Sequence, residues 1–511
     1  MTKLTTAQII QKMQQPDFYP HPVTQQIELM QTHVSYVLLT GDYVYKVKKP
    51  VNFGFLDYST LDKRLHFCQE EIRMNREAAP EIYLEVVPIT QEGDKVVLGG
   101  EGNPIEYALK MRQFPQEALL SERYKAGNLT ETQMEELGRI VADFHAKTAT
   151  NDYIRSFGDV AKVREAFDEN YQQTEKYIGG PQTQEQFNET KQFTDTFFEQ
   201  REALFRQRQE QNKIRECHGD LHLRNMCLWQ DKIVLFDRIE FNEPFRFVDV
   251  IYDVAFVVMD LDARGSKAFG NAFLNTYMEQ TGDWEGLQLL PLYLSRQAYV
   301  RAKVTSFLLD DPNVPETAKQ EAFNTAADYY RLAWEYTQIN EGKLILMSGL
   351  SGSGKTTVAQ KLARKINAIH LRSDAVRKHL AGIPLDEKGG NELYTPEMNE
   401  KTYNRLLELG EMLAKEGFPV ILDAKYDRVA LRENAIAAAK DNNLPLQILH
   451  CTAPLEVLSD RLSGRSGDIS DATADLLEKQ NASAEWFTEE EKGFVTTLNT
   501  TENWESQLDN V

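Results

Sequence analysis

The chain has 511 residues, with 57 lysines and arginines against 78 aspartates and glutamates, a formal net charge of -21 and 41% hydrophobic residues. At about 100–200 residues per domain this length predicts two or more domains, and the composition excludes a wholly disordered or collagen-like chain. The negative charge disfavours nucleic acid and anionic membranes as partners, because it repels phosphate groups over most of the surface.

The cysteine usage and the hydropathy favour a reduced, cytoplasmic protein. The four cysteines have no CxxC spacing and predict neither a disulfide framework nor a zinc knuckle. No apolar run approaches the ~20 residues that span a bilayer, and the first residues lack the apolar region of a signal peptide.

The first strong pattern is a predicted hairpin. Residues 36–39 and 43–47 have strand-type composition around a Thr-Gly-Asp turn. Side chains two residues apart share a face of a strand, so Lys46 and Lys48 point the same way. A kinase uses such a lysine on the α- and β-phosphates of its nucleotide, and we predict Lys46 for that role. Lys48 and Lys49 compete with it, and a solvated strand face is the alternative.

A helix after the hairpin is predicted to supply the carboxylate that pairs with this lysine. The segment 68–76 reads CQEEIRMNR, which has helical composition. Glu71 is the predicted partner, and Glu70 competes with it.

The segment from residue 217, CHGDLHLRNMCLWQDKIVLFDRIEF, contains the pattern HGDxxxxN followed by an aspartate at a strand end. Phosphoryl transfer of the protein-kinase type needs an aspartate near the acceptor hydroxyl, plus an asparagine and a second aspartate on Mg²⁺. We predict Asp220 as the base, with Asn225 and Asp237 as metal ligands. The alternative is that these residues make only structural hydrogen bonds.

His218 and His222 also have the spacing of a zinc-binding pair. Gly219 argues against a helix there, and the glutamate of HExxH is missing. We therefore predict that His218 braces the loop by hydrogen bonds.

This whole segment resembles the aminoglycoside phosphotransferase and choline kinase group, which has a protein-kinase-like fold. The resemblance implies that YALKMRQFP joins two lobes, with backbone groups at Met111 meeting adenine, and that Asp249 or Asp253 supports the HGD loop. No GxGxxG motif precedes Lys46, so the short THVS hairpin would have to cover the phosphates.

A change of pattern at Asn340 predicts the domain boundary. Helical spacing up to that point gives way to the strand-type run KLILMSGL. We predict domains at residues 1–340 and 341–511, joined by a linker of a few residues.

The second domain opens on a P-loop, GxxxxGKT, between a strand and an amphipathic helix. Its glycines let backbone N–H groups converge on phosphate, and its lysine reaches the β- and γ-phosphates. The predicted nucleotide-binding residues are Gly349, Ser351, Gly352, Ser353, Gly354, Lys355, Thr356 and Thr357. Lys355 is also predicted to be catalytic, and the Thr356 hydroxyl to bind Mg²⁺.

Two aspartates follow strand-type runs downstream. Asp423 ends the run GFPVILD, where a parallel sheet places site residues, and is predicted to serve Mg²⁺. Asp374, in HLRSDAVRKHL, is predicted to bind or deprotonate the acceptor hydroxyl. A helix-capping role is the alternative for both.

Arg461 and Arg465 are four residues apart and share a face if the helix persists through Gly464. Such a pair neutralises charge on a transferring phosphoryl group, and we predict both as catalytic. A solvated helix face is the alternative.

These motifs resemble the small P-loop kinases of the gluconate kinase, zeta-toxin and polynucleotide kinase type. The order of the two halves resembles a bacterial family described as bifunctional aminoglycoside phosphotransferase/ATP-binding proteins. The resemblance implies an α+β protein-kinase-like fold followed by an α/β P-loop NTPase fold, three layers around a parallel sheet.

The leading hypothesis is therefore an ATP- and Mg²⁺-dependent phosphotransferase with two nucleotide-handling sites, acting on small hydroxylated molecules; another nucleoside triphosphate is the alternative donor. A second hypothesis makes the N-terminal domain a pseudokinase that senses a metabolite and gates the P-loop domain. The third, polynucleotide end phosphorylation, rests on the resemblance alone, and the acidic charge weighs against it.

Overall fold

The protein is described by a computed structural model at residues 4–23, 25–93, 95–338, 340–464, 469 and 477–510. Its chain forms two compact units. Unit 1 comprises Met1–Leu129, Asp143–Glu169 and Phe198–Asp260, and unit 2 comprises Thr130–Ala142, Asn170–Phe197 and Leu261–Val511. The boundary at Asn340 was inferred from sequence pattern and stays a prediction.

Unit 1 contains a six-stranded antiparallel sheet in the order β1-β2-β3-β6-β4-β5. The strands are β1 (Glu28–Gln31), β2 (Ser35–Leu39), β3 (Tyr43–Lys48), β4 (Tyr83–Glu92), β5 (Lys95–Leu98) and β6 (Pro104–Arg112). The predicted hairpin is confirmed, since β2 and β3 pair antiparallel across residues 40–42. A buried apolar cluster from α1 (Thr6–Met13) and the sheet, including Ile9 and Tyr45, forms the core on one face.

Two short antiparallel pairs follow the sheet in unit 1 and carry the HGD segment. They are β7 (Ile214–Glu216) with β10 (Phe247–Asp249), and β8 (Met226–Trp229) with β9 (Lys232–Leu235). The HGD loop lies between β7 and β8, and Asp237 follows β9, so these pairs set the spacing between the loop and the second aspartate.

Helices make up most of the rest of the first 340 residues. They are α2 (Leu61–Asn75), α3 (Leu120–Lys125), α4 (Glu131–Lys147), α5 (Asp152–Arg155), α6 (Val160–Thr174), α7 (Gln184–Gln200), α8 (Glu202–Glu210), α9 (Glu243–Arg246), α10 (Val250–Ala263), α11 (Lys267–Thr281), α12 (Leu290–Asp310) and α13 (Glu316–Glu335). No helix in the described ranges is long and apolar enough to cross a membrane.

Unit 2 contains a five-stranded parallel sheet in the order β12-β13-β11-β14-β15. Its strands are β11 (Lys343–Ser348), β12 (Ile369–Arg372), β13 (Pro419–Asp423), β14 (Leu446–Thr452) and β15 (Val495–Asn499). The helices of this part are α14 (Lys355–Ile366), α15 (Ser373–Ala381), α16 (Pro396–Lys415), α17 (Val429–Asp441), α18 (Leu455–Ser463) and α19 (Leu477–Ser483). The central strands are almost wholly buried, as a near-continuous apolar run requires of a parallel sheet. The predicted order of an α+β fold followed by a parallel α/β fold is confirmed.

The outer strand β12 is covered by α11, another element of unit 2. Asn271 and Asn275, one helical turn apart, donate side-chain hydrogen bonds to the Ala368 carbonyl at 2.9 and 3.0 Å. The amide oxygen of Asn275 accepts from the backbone N–H of His370 at 2.8 Å. These side chains satisfy edge groups that a further strand would otherwise pair.

Candidate active sites

The P-loop is built by the turn between β11 and α14. Gly349 lies so close to β14 that an added Cβ would be 2.3 Å from the Cys451 carbonyl oxygen. Gly354, at φ 85°, forms the N-cap of α14 in the left-handed region that favours glycine. The loop therefore needs glycine at both positions, at Gly349 because it packs closely on β14 and at Gly354 because its backbone is left-handed.

Lys355 begins α14, and its Nζ donates to the carbonyls of Gly349 and Leu350, both at 2.8 Å. Burial lowers the pKa of Lys355, and the nearby Asp423 only partly offsets that effect. Two neutral carbonyls of the loop therefore fix Lys355, and Asp423 balances its positive charge only in part.

The other residues predicted to bind phosphate lie in the same loop and in the first turn of α14. Ser351, Gly352, Gly354, Lys355, Thr356 and Thr357 line one cleft of about 1400 Å³, together with Asp374, Asp423 and Arg461. Ser353 is a buried residue of the loop, and its carbonyl accepts from the Thr500 hydroxyl at 2.8 Å.

Asp423, at the end of β13, is fixed by a neighbour that the sequence analysis missed. Its Oδ2 lies 3.0 Å from Nε2 of His370 on the adjacent strand β12. Burial alone would raise the pKa of Asp423, but the His370 hydrogen bond and the charges of Arg372 and Lys355 hold it below its usual value. An ionised carboxylate and the Thr356 hydroxyl are the hard oxygen ligands that suit Mg²⁺.

Asp374 lies in the first turn of α15, directly after β12. In a parallel sheet the carboxyl ends of the strands share one edge. Because β12 is separated from β11 by β13, Asp374 lies on the far side of Asp423 from the P-loop.

Arg461, on α18, contacts the P-loop side of the cleft. It donates to the Thr500 hydroxyl and carbonyl at 2.9 and 3.0 Å and to the Gly352 carbonyl at 3.3 Å. The helix ends at Ser463 with Gly464 at its C-cap. Arg465 lies outside the described residues, so its predicted pairing with Arg461 stays a prediction.

In unit 1, Lys46 and the predicted carboxylates are brought together from three separate segments. Lys46 Nζ is 2.8 Å from Glu71 Oε1 and 2.9 Å from Asp237 Oδ1. Burial alone would lower the pKa of Lys46, but Asp237 and Glu71 raise it well above its usual value. Burial alone would raise the pKa of Glu71, but Lys46 and Lys48 lower it to about 2.

Both candidate lysines contact the same glutamate. Lys48, 1% exposed, is 2.7 Å from Glu71 Oε2 and also pairs with Glu240, which the Tyr58 hydroxyl contacts at 2.6 Å. The competing Glu70 instead pairs with Arg73 on the surface. Sequence reasoning missed Glu240 and Tyr58, since neither stands in a recognisable motif.

Asp253 of α10 fixes the backbone of the HGD loop by hydrogen bonds. Its carboxylate accepts from the backbone N–H of His218 at 2.7 Å and of Gly219 at 2.9 Å, and contacts His145 at 3.1 Å. His218 Nε2 lies 2.9 Å from the Phe236 carbonyl, and burial lowers the pKa of this histidine. His218 thus makes the bracing contact that was predicted for it.

Asp220 and Asn225 lie together, with Asn225 Nδ2 donating to the Asp220 carboxylate at 3.0 Å. His222 Nε2 is 3.4 Å from the same carboxylate. Asn225 and Asp237 offer amide and carboxylate oxygens of the kind that Mg²⁺ binds.

Met111 lies inside β6, opposite Val44 of β3 and Tyr83 of β4. Its side chain packs against a buried apolar cluster that Val234 and Phe236 also contact. The predicted adenine contact at Met111 stays a prediction.

The second half matches a known domain family. Residues 344–486 match the model of the AAA domain. A shikimate kinase from Geobacter sulfurreducens is 28% identical over 166 residues, which cover 30% of this chain and 84% of that protein. The C-terminal half is therefore a P-loop domain with kinases among its relatives, as its motif predicted.

Similarity over most of the chain is found as well. An uncharacterized protein from Mycobacterium tuberculosis is 29% identical over 475 residues, covering 92% of this chain and 93% of that protein. For the N-terminal half, a choline/ethanolamine kinase family protein from Mesorhizobium loti aligns with a TM-score of 0.37 and 10% identity, over 62% of this chain and 93% of that one.

Proposed function

We propose that the C-terminal cleft transfers the γ-phosphoryl group of ATP, or of another nucleoside triphosphate, to a hydroxyl group of a small molecule. The observation that carries this proposal is the convergence of Lys355, Asp423 and Asp374 on one cleft. Its volume of about 1400 Å³ exceeds the ~300–1,000 Å³ of a typical single-ligand site, so a nucleotide and an acceptor fit together.

The residues divide the chemistry between them. The loop N–H groups and Lys355 bind the β- and γ-phosphates, and Arg461 and Arg465 are proposed to neutralise charge as it develops. Asp374 takes the proton from the acceptor hydroxyl as the acceptor oxygen bonds to the γ-phosphorus. The bond from that phosphorus to the bridging oxygen breaks, and the nucleoside diphosphate leaves with the electron pair.

Thr356 and Asp423 would hold Mg²⁺, which when bound would offset the negative charge of the β- and γ-phosphates. Asp423 suits this task because it is ionised, buried and oriented by His370.

In unit 1 we propose a second phosphotransfer site. Lys46, paired with Glu71, would bind the α- and β-phosphates, Asn225 and Asp237 would hold the metal, and Asp220 would orient the acceptor. One observation favours the pseudokinase alternative: the turn between β1 and β2 has only Thr32, His33 and Val34, far short of a glycine-rich loop.

The test compares the full chain with Lys355→Ala and Asp220→Ala, measuring ATP turnover and phosphorylated products from a metabolite extract. We expect each variant to lose a separate set of products by about a hundredfold or more, the scale for removing a transition-state contact. Lys361→Ala is the matched control, since Lys361 is a half-exposed lysine on the same helix. Unchanged turnover in both Lys355→Ala and Asp220→Ala would contradict the proposal.

The sensor alternative has its own readout. If Lys355→Ala abolishes all phosphoryl transfer, and the site in unit 1 of that variant does not bind Mg-ATP, unit 1 is a regulatory module. Phosphorylation of single-stranded nucleic acid ends would instead support the polynucleotide kinase reading.

A further inference from the structure

One face of the helix α12 is buried in the interior of unit 2. Ser295 donates to the Ala333 carbonyl at 2.8 Å, and the Tyr299 hydroxyl lies 2.7 Å from the Thr174 hydroxyl. The burial continues along the same face to Ser306, whose hydroxyl is fully enclosed. This face of α12 is therefore fixed by contacts within the chain.

The opposite face of α12 exposes three large apolar side chains. Val304 is 53% exposed, Phe307 43% and Leu308 37%, although Ser306 between them is buried. They are three of the eleven large hydrophobic side chains that are exposed in the described ranges. Residues three and four apart are neighbours on a helix, so these three form one patch rather than isolated exposures. A contiguous exposed apolar patch is characteristic of an interaction surface.

Opposite charges lie at the two ends of this patch. Arg301 stands three residues before Val304, and Asp311 forms the C-cap of α12 three residues after Leu308. Positions 301, 304, 308 and 311 follow the alternating three- and four-residue spacing by which one helix packs along another. The four side chains therefore form a single line along the exposed face.

Both charges are available to a partner. The Arg301 guanidinium lies over the ring of Tyr329, 5.8 Å from its centre, and Asp311 Oδ1 accepts from the backbone N–H of Asn313 at 2.8 Å. Within the part of the chain that the structure describes, neither Arg301 nor Asp311 forms an ion pair. The neighbouring Asp310, in contrast, already pairs with Lys176.

We propose that this face of α12 binds the same face of a second copy of the chain, with the two helices antiparallel about a two-fold axis. If the axis passes midway between Val304 and Leu308, Val304 faces Leu308 of the partner subunit. Arg301 then faces Asp311 of the partner subunit, because each lies three residues further from the axis. The two-fold axis repeats every contact, so two apolar pairs and two ion pairs form.

The distribution of charge favours a second copy over another partner. The line carries one cation and one anion around an apolar centre, so it matches neither a polyanion nor a polycation. It matches itself when it is reversed, since a parallel pairing would place Arg301 opposite Arg301 of the partner subunit. Burial of the apolar side chains supplies the affinity, and the charges select the antiparallel orientation.

The test measures the mass of the full chain by sedimentation equilibrium over a dilution series. The monomer has a mass of 58.6 kDa, and we expect twice that value at high concentration. The patch is small for a specific interface, so we expect a dissociation constant of about 1–100 µM. Arg301→Asp and Asp311→Arg should each raise this constant about tenfold or more, because each places like charges opposite one another.

An equimolar mixture of these two variants distinguishes the antiparallel arrangement from others. When one Arg301→Asp chain meets one Asp311→Arg chain, opposite charges face each other at both ends of the seam. The mixture should therefore recover the wild-type dissociation constant. Recovery would also show that neither substitution disrupts the fold.

Two single variants separate the apolar contact from a general effect of charge. Leu308→Ser removes an exposed apolar side chain from the centre of the patch and should weaken association about tenfold. Arg331→Asp makes the same change of charge as Arg301→Asp, on an exposed side chain of α13. It lies two residues after Tyr329 and so points away from Arg301, and it should associate like the wild type.

Three results would overturn the inference. They are a wild type that remains at 58.6 kDa up to about 1 mM, a dimer that neither Arg301→Asp nor Asp311→Arg weakens, and a mixture that stays monomeric. Co-sedimentation of a monomeric wild type with phosphatidylcholine vesicles would also overturn it and would assign the patch to a lipid surface.

Discussion

The two lysines predicted to meet phosphate are held in opposite ways. Lys46 lies between two carboxylates, which raise its pKa well above the usual value. Lys355 contacts two neutral carbonyls of its own loop, and burial lowers its pKa. The first site balances its charge within the protein, whereas the second leaves a positive charge that a triphosphate would balance. We therefore expect the first site to depend on its ion pairs for stability and the second to depend on its ligand.

The largest effect is expected from Glu71→Gln. The buried Lys48 and the 17% exposed Lys46 share this buried carboxylate, and removing one partner of a buried ion pair costs about 3–5 kcal/mol. The free energy of unfolding of the full chain in urea measures the loss. Glu70→Gln is the control, because the adjacent Glu70 pairs on the surface and should change stability by under about 1 kcal/mol. Equal effects of the two variants would show that charge balance at Lys46 does not stabilise unit 1.

The next effect is on nucleotide binding at the first site. Asp237→Asn removes one carboxylate from Lys46 but leaves Glu71, so the fold should persist while Mg-ATP binding weakens about a hundredfold, roughly 3 kcal/mol. Calorimetry in a Lys355→Ala background isolates this site. Asp231→Asn, at the exposed turn before β9, should bind Mg-ATP like its parent. Undiminished binding in Asp237→Asn would remove this residue from the metal site.

The smallest expected effect is a pH dependence of stability that arises in the P-loop domain. Burial, with the charges of Arg432 and Lys355, lowers the pKa of His450 to about 4. The unfolded chain takes up this proton near pH 6.5 and the folded chain does not, so stability falls as the pH falls below 6.5. Between pH 7 and 5 we expect a loss of about 2 kcal/mol from this group.

The measurement compares urea unfolding at the two pH values for the wild type and His450→Gln, which should lose less stability on acidification. His66→Gln, which changes an exposed histidine, should behave like the wild type. A His450→Gln variant with the full wild-type loss would show that this ring does not carry the effect.

The same comparison explains what the sequence could predict. The P-loop is contiguous, so its glycines, lysine and threonines were readable as one motif with the strand before it and the helix after it. Asp423 and Asp374 were readable because each ends a buried strand or opens the next helix, and strand ends of a parallel sheet converge.

The ion-pair network of unit 1 was only partly readable. Lys46, Glu71 and Asp237 stand in patterns, but Lys48 binds Glu240 across 192 residues, and Tyr58 completes the group. Similarly, His370 faces Asp423 only because β12 and β13 are neighbours in the sheet. Such contacts depend on strand order and register, which no local spacing encodes.

The covering of β12 by α11 bears on how this protein can be divided. Asn271 and Asn275 act as a substitute strand, fixed by side chains rather than by backbone pairing. A fragment starting at Lys343 would keep every P-loop motif yet present a bare sheet edge, the kind of surface that recruits a second chain. We therefore expect that the P-loop domain cannot be separated from the rest of the chain at Lys343. Its minimal folding unit includes α11, which lies upstream of the P-loop motif.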